Sequence, residues 1–150
     1  MIITRTLLIF IVIKPIMKNF STLTLFTFET NKFWAFKQMG LAPLKFHEIE
    51  GLHFSKLMGT GSGAGFSLFP DFSTYAFLGV WESEEKAKQF FETSAFFLEY
   101  KKRSDKIRTL SLRPIHSHGK WSGASPFGSN LTMQETPKGE VAIITRATLR

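Results

Sequence analysis

The sequence predicts an α+β fold of the ferredoxin-like kind. Its apolar residues follow strand spacing in four segments and helical spacing in two, in the order β-α-β-β-α-β. A chain of 150 residues with 43% hydrophobic content can bury one real core. Together these observations predict an antiparallel sheet with helices on one face.

The first strand, 21–28, mixes Thr22, Thr24 and Thr27 with Leu23, Leu25, Phe26 and Phe28, a β-branched and aromatic composition. Asn31 is placed to cap a helix carrying Phe33, Trp34, Phe36, Lys37, Gln38 and Met39, which Gly40 and Pro43 stop. A second strand, 52–59, leads through a glycine-rich connection to a third at 73–81. Ser83, followed by Glu84 and Glu85, starts a second helix that turns Ala87, Phe90 and Phe91 to the core and resumes through Phe96, Phe97 and Tyr100. Lys101-Lys-Arg103 falls at its end and complements its dipole. The fourth strand is expected at 107–116.

These elements set the expected domain limits at 17–118. Residues 1–16 stand apart. Their apolar run, 7–13, is too short to span a bilayer, and no small-x-small cleavage site precedes Met17. They read as a non-native or disordered upstream extension. Residues 119–139 form a polar, glycine-containing loop, and 140–150 read as the first strand of a second, truncated unit.

Composition removes several kinds of chemistry. Without cysteine there is no disulfide framework, zinc-thiolate site, Fe–S cluster or thiol nucleophile. The net charge of +7 comes from scattered lysines and arginines, which read as a solvated face and not as a nucleic-acid surface. Seventeen phenylalanines and three tryptophans serve either a very aromatic core or an apolar ligand cavity.

The stretch 54–66 carries Gly59, Gly61, Gly63 and Gly65 at alternate positions. Such spacing strips Cβ atoms from the backbone, allows φ > 0 and frees N–H groups to face a ligand. The segment Gly59-Thr-Gly61-Ser-Gly63-Ala64 fits G-x-G-x-x-G/A, but that fingerprint must open a helix, and Pro70 leaves no room for one. What remains is a cofactor or substrate loop, or a plain hairpin connection. Of the four histidines, His116 and His118 would share a face on a strand, a spacing usable by a metal, yet no carboxylate is nearby in sequence. His47 and His53 flank a turn and read as solvent-facing.

Several blocks resemble the spheroidene monooxygenases, carotenoid oxygenases of the acyclic carotenoid pathway. They are Trp34-Ala-Phe-Lys-Gln-Met-Gly40, the glycine stretch 54–66, the strand 75–81, Gly119-Lys-Trp-Ser-Gly123 with Pro126 and Phe127, and Thr145-Arg-Ala-Thr148. The resemblance covers about residues 20–150; no single block is specific, but the ordered set is. One departure is that Thr60 precedes Ser62 where the family has serine first, which keeps both hydroxyls. The family implies two ferredoxin-like halves of a dimeric α+β barrel type domain, of which this chain would be the first, with a homodimer among its partners. It also implies a haem-dependent enzyme using dioxygen and an electron donor such as ferredoxin to put a keto or hydroxy oxygen on an apolar carotenoid. The haem ligand is expected in the second half, so the chain alone is expected to be inactive. A cytoplasmic location, peripheral to the membrane, fits that substrate.

The cofactor candidates are Lys56, Gly59, Gly61, Gly63 and Arg146; Arg113, Lys120 and Arg146 have the charge to pair with haem propionates, and each reads equally as a surface charge. Lys56 reads equally as a polar residue of a half-exposed strand. Trp34 and Gln38, i and i+4 on one helical face, and Trp121 are the substrate candidates. Core packing for Trp34 and a plug at the domain edge for Trp121 are the plainer alternatives. Two other readings stay open: a non-catalytic barrel module binding an apolar ligand, and a cofactorless small-molecule monooxygenase.

Overall fold

Threonines and aromatic residues at period two place β1 (Phe20–Thr27) in the interior of a four-stranded antiparallel sheet. The structure, a computed structural model, describes residues 20–62, 70–117, 119–121, 123–128 and 140–143. β1 pairs with β3 (Pro70–Trp81) on one side and β4 (Lys106–Leu112) on the other, while β2 (Leu52–Gly61) lies beyond β3. The order β2-β3-β1-β4 is the expected ferredoxin-like arrangement. β4 stops earlier than expected, because Pro114 has no N–H for the ladder and biases the residue before it. His116 therefore lies beyond the strand; His118, expected to share a face with it, lies outside the described residues.

The register sorts side chains onto two faces. Thr22, Thr24, Phe26, Leu57, Tyr75, Phe77 and Trp81 point to one, and Leu23, Leu25, Phe54, Lys56, Met58, Ala76, Leu78, Val80 and Leu110 to the other. The buried residues of every helix join the first face in one cluster.

α1 (Lys32–Leu41) runs through Gly40 and continues as a 3-10 segment, Ala42–Glu48. Pro43 does not stop it, since a proline in the first turn of a helical segment sacrifices no intrahelical bond. Asn31 does not cap α1 with its side chain; its amide donates to the Arg103 carbonyl at 2.9 Å, tying the start of α1 to the end of the last helix. Ser83 does act as a cap for α2 (Glu84–Thr93), its Oγ accepting the Lys86 N–H at 3.3 Å. An extended Ser94 separates α2 from α3 (Ala95–Arg103), so Phe96, Phe97 and Tyr100 belong to a helix of their own.

Between helices and sheet lies a nearly continuous layer of rings. Phe77 stacks on Phe90 at 5.6 Å, Trp81 tilts against Phe90 at 4.8 Å, and Phe96 meets Tyr100 at 4.4 Å. Each such ring removes about 150–250 Å² from water, and this layer dominates the favourable energy of the fold. The Trp81 indole N–H donates to Thr22 Oγ1 at 2.9 Å, and the Thr24 and Thr109 hydroxyls meet at 3.0 Å, which satisfies Thr22 and Thr24; Ser21 Oγ, also buried, has no partner among the described residues. Residues 1–16 lie outside the described residues, and of 140–150 only 140–143 are described, with Val141 and Ile143 exposed.

Candidate functional site

At the end of the sheet where β2 meets the glycine stretch, side chains from β1, β3, α1 and α3 converge. Trp34 packs edge-on against Tyr100 at 5.0 Å and lies 6.0 Å from Phe28, which in turn meets Tyr75 at 5.9 Å. The Arg103 guanidinium lies 4.9 Å from the centre of the Trp34 ring, a cation–π contact, and Arg103 Nε donates to Glu99. Gln38 sits one turn beyond Trp34 and is half-buried.

Two polar atoms in this cluster have no hydrogen-bond partner among the described residues. The hydroxyls of Tyr75 and Tyr100 are both buried, and their residues are 3% and 2% exposed. Burial, and then the neighbouring Tyr75, push the Tyr100 phenol far above the ordinary tyrosine range. Burial first, then the Asp71 carboxylate, raises Tyr75. Both groups therefore stay protonated donors at any physiological pH. An unpaired buried hydroxyl costs about 1–3 kcal/mol, so this packing carries a local penalty. The sequence marks Tyr75 and Tyr100 only as strand and helix members; no motif sets them apart.

Asp71 is fixed beside them. Its carboxylate accepts the Ser73 N–H at 2.7 Å, and that bond holds its pKa below the usual carboxylate value. The β2–β3 register slips between Gly59 and Thr60, from Tyr75 to Asp71, and Thr60 Oγ1 donates to the Thr74 carbonyl at 3.1 Å across the irregularity.

Gly59 and Gly61 are extended residues of β2, not turn residues, and a Cβ built on Gly59 meets nothing within 4 Å. Open space, and not a left-handed backbone, is what Gly59 provides. Gly63 and Arg146 lie outside the described residues. Positive φ values belong instead to Gly51, Gly119, Gly123 and Gly128.

Trp34, Gln38 and the tyrosines occupy the helix side of the sheet, but Lys56 and Trp121 do not. Lys56 is half-buried on the opposite face, opposite Leu78. Trp121 closes a tight turn with Ala124, exchanging backbone bonds of 2.8 and 3.0 Å, and its ring meets Phe54 of that same face edge-on at 6.2 Å. The sequence-predicted residues thus fall on two surfaces separated by the sheet. Arg113 and Lys120 are exposed.

The described residues do not fit haem. His47, His53 and His116 are all exposed, and none enters an apolar pocket such as a porphyrin needs. Among the described residues no group of three or more histidine or acidic side chains could hold a metal ion. A groove of about 190 Å³ between the 3-10 segment and α2 mixes Glu48, Glu50, Lys86 and Gln89 with the apolar Ile49 and Phe90, and neither tyrosine lines it. Ordinary small-molecule sites measure about 300–1,000 Å³. The aromatic cluster is a wall of the core: Phe28, Tyr75 and Tyr100 are 0%, 3% and 2% exposed, and of these four rings only that of Trp34 is partly open to solvent.

No family model matches the chain. A spheroidene monooxygenase from Cereibacter sphaeroides is 32% identical over 133 residues, 86% of this chain and 40% of that protein. One from Rhodobacter capsulatus is 25% identical over 132 residues, 87% of this chain and 55% of its own length. The chain therefore spans about half, or less, of the curated relatives it matches. Among solved structures, SnoaB, a cofactor-independent oxygenase from Streptomyces nogalater, superimposes with a TM-score of 0.51 at 9% identity, covering 69% of this chain and 99% of that one. A protein from Nitrosomonas europaea assigned as an antibiotic biosynthesis monooxygenase gives 0.50 at 13% identity, over 68% and 95%. These likenesses show the ferredoxin-like α+β fold. Over most of its length, the chain is similar to a part of the spheroidene monooxygenases.

Proposed function

We propose that this chain forms one ferredoxin-like unit of a monooxygenase that oxidises an acyclic carotenoid. The observation that carries the reading is the 32% identity to a spheroidene monooxygenase over 86% of the chain. The partly exposed Trp34 ring, backed by Tyr100 and Phe28, supports it, because a long polyene needs flat apolar surface. In the reaction a methylene takes up one oxygen atom of dioxygen, and the other leaves as water with two electrons and two protons from a donor of the ferredoxin type. A second round gives a geminal diol, which loses water to the ketone. The enzyme works at the surface of a membrane, where such a substrate resides.

The cofactor divides this reading in two. Haem is implied by the resemblance, and its ligand would have to come from outside the described residues. Oxygenation without a cofactor is the chemistry named for SnoaB.

The chain is tested by expression in a carotenoid-producing host, alone and joined to the complementary part of the Cereibacter sphaeroides relative, with pigments analysed by mass. The joined form should yield carotenoids that gain oxygen. Unchanged pigments would move the reading to a non-catalytic module binding an apolar ligand. A Soret band in the protein purified from haem-supplemented culture selects the haem version, and turnover without one selects the other.

A further inference from the structure

A helix on a protein surface ordinarily turns one apolar stripe to the core and leaves the rest polar. The segment from α1 through the 3-10 turns departs from this. Its inner stripe, Ala35, Ala42 and Phe46, is buried as expected. Its outer stripe is apolar as well: Phe33, Phe36, Leu41 and Leu44 are 81%, 54%, 45% and 68% exposed. Phe72, half-exposed at the start of β3, extends the patch, its ring 5.6 Å from that of Phe36.

The charges around the patch have one sign. Lys32, Lys37 and Lys45 are exposed, and no acidic residue occurs between Thr30 and His47. Glu29 and Glu48 stand at the two ends, and Asp71, beside Phe72, is turned back onto the Ser73 N–H and feels the charge of Lys32. Large exposed aromatic side chains rimmed by lysines have the composition of a surface that lies in a membrane interface. Among the described residues no helix is long and apolar enough to cross a bilayer, so contact by α1 would be from one side.

We propose that α1 and the 3-10 segment dock on an anionic bilayer. Phe33, Phe36, Leu44 and Phe72 enter the boundary between headgroups and acyl chains, while Lys32, Lys37 and Lys45 meet lipid phosphates and carboxylates. This deepens the carotenoid reading, because docking would bring the Trp34 wall, on the inner side of the same helix, close to the phase that holds the substrate. Its test reads lipid binding alone, with no substrate present.

The chain is mixed with vesicles of phosphatidylcholine containing about a third phosphatidylserine, and with phosphatidylcholine alone, and the bound fraction is read by flotation. Binding to the anionic vesicles is expected, about tenfold weaker to the neutral ones and weakened by salt. Phe33→Ser, Phe36→Ser and Leu44→Ser together should abolish it while circular dichroism and melting stay as in the parent, since all three side chains are exposed. Lys32→Gln, Lys37→Gln and Lys45→Gln together should remove the preference for anionic lipid. Absence of binding by the parent, or binding that survives the serine substitutions, overturns the proposal. So does concentration-dependent self-association that those substitutions cure, which would give the stripe to a second copy of the chain. Failure to bind with pigment oxidation intact refutes this surface only, and binding without oxidation refutes only the oxygenase reading.

Discussion

Where β2 leaves the Trp81 end of the β2–β3 pair, glycine is imposed by its neighbours; at the opposite end it is not. A Cβ on Gly79 would lie 2.8 Å from three atoms of the buried Trp81 indole, and Gly51, at φ 73°, holds the turn whose carbonyl accepts the Glu82 N–H at 2.8 Å. Gly59, at the other end, faces open space. The polar atoms divide less cleanly. At the Trp81 end Trp81 Nε1 has its Thr22 partner, but Ser21 Oγ, opposite Val80 on the other face of the sheet, is buried without one; at the far end the Tyr75 and Tyr100 hydroxyls have none among the described residues. The two ends therefore differ in how tightly they pack around glycine more than in hydrogen bonding.

The contrast is broken most directly at Gly79. Gly79→Ala should destabilise the fold by about 3 kcal/mol in urea or thermal unfolding, because the indole is fully buried and cannot move aside. A loss under about 0.5 kcal/mol would mean that the Trp81 end is as open as the other. Next come the tyrosines. Tyr75→Phe and Tyr100→Phe should each stabilise by about 1 kcal/mol, the reverse of an ordinary core substitution, since each deletes an unpaired buried hydroxyl. Destabilisation would show that the hydroxyls have partners within the fold.

Tyr100 also has a pH signature. Its phenol is held up in the folded chain, so the unfolded chain ionises first, near pH of about 10. The stability it contributes is fully present below that pH and is lost as the pH rises above it. Tyr100→Phe should flatten this alkaline decline in a pH series of melting temperatures, and an unchanged slope would point to other groups. Ser83→Ala tests the closed end by a smaller margin. Losing the Oγ bond to the Lys86 N–H should cost about 1 kcal/mol. Smallest is Gly59→Ala, which should raise stability by about 0.5 kcal/mol, because β2 is extended there and the methyl group meets nothing.

Alternating threonines and rings were enough to place β1 and β3, and Ser83 with two acids after it marked α2, because each is a local preference that the tertiary structure reinforces. Asn31 misled for the same kind of reason. Its local preference is to cap α1, but the Arg103 carbonyl, 72 residues away, offers a better-placed acceptor. The candidate site was half legible. Trp34 stands out by its size and by the helical spacing to Gln38, yet nothing local in the sequence says that Lys56 and Leu57 face opposite sides of a sheet whose register was unknown. Tyr75 and Tyr100 become notable only through what fails to reach their hydroxyls, a property of the folded packing alone. The glycines drew attention for their backbone freedom, but two of them lie in a strand.

The order β2-β3-β1-β4 sets a timetable during synthesis. β1 leaves the ribosome first among the four strands, yet its ladder on one side needs β3 and on the other needs β4, joined to it across 85 residues at Thr24 and Thr109. β2 and β3 are neighbours in sequence and pair as soon as both have emerged. Making the segment between Trp81 and Leu112 takes about 2–6 s at about 5–20 residues per second, and for that interval one edge of β1 is an open row of N–H and C=O groups. Slow translation through that segment should therefore cost more protein to aggregation than an equal pause before β3, although the finished molecule would be the same.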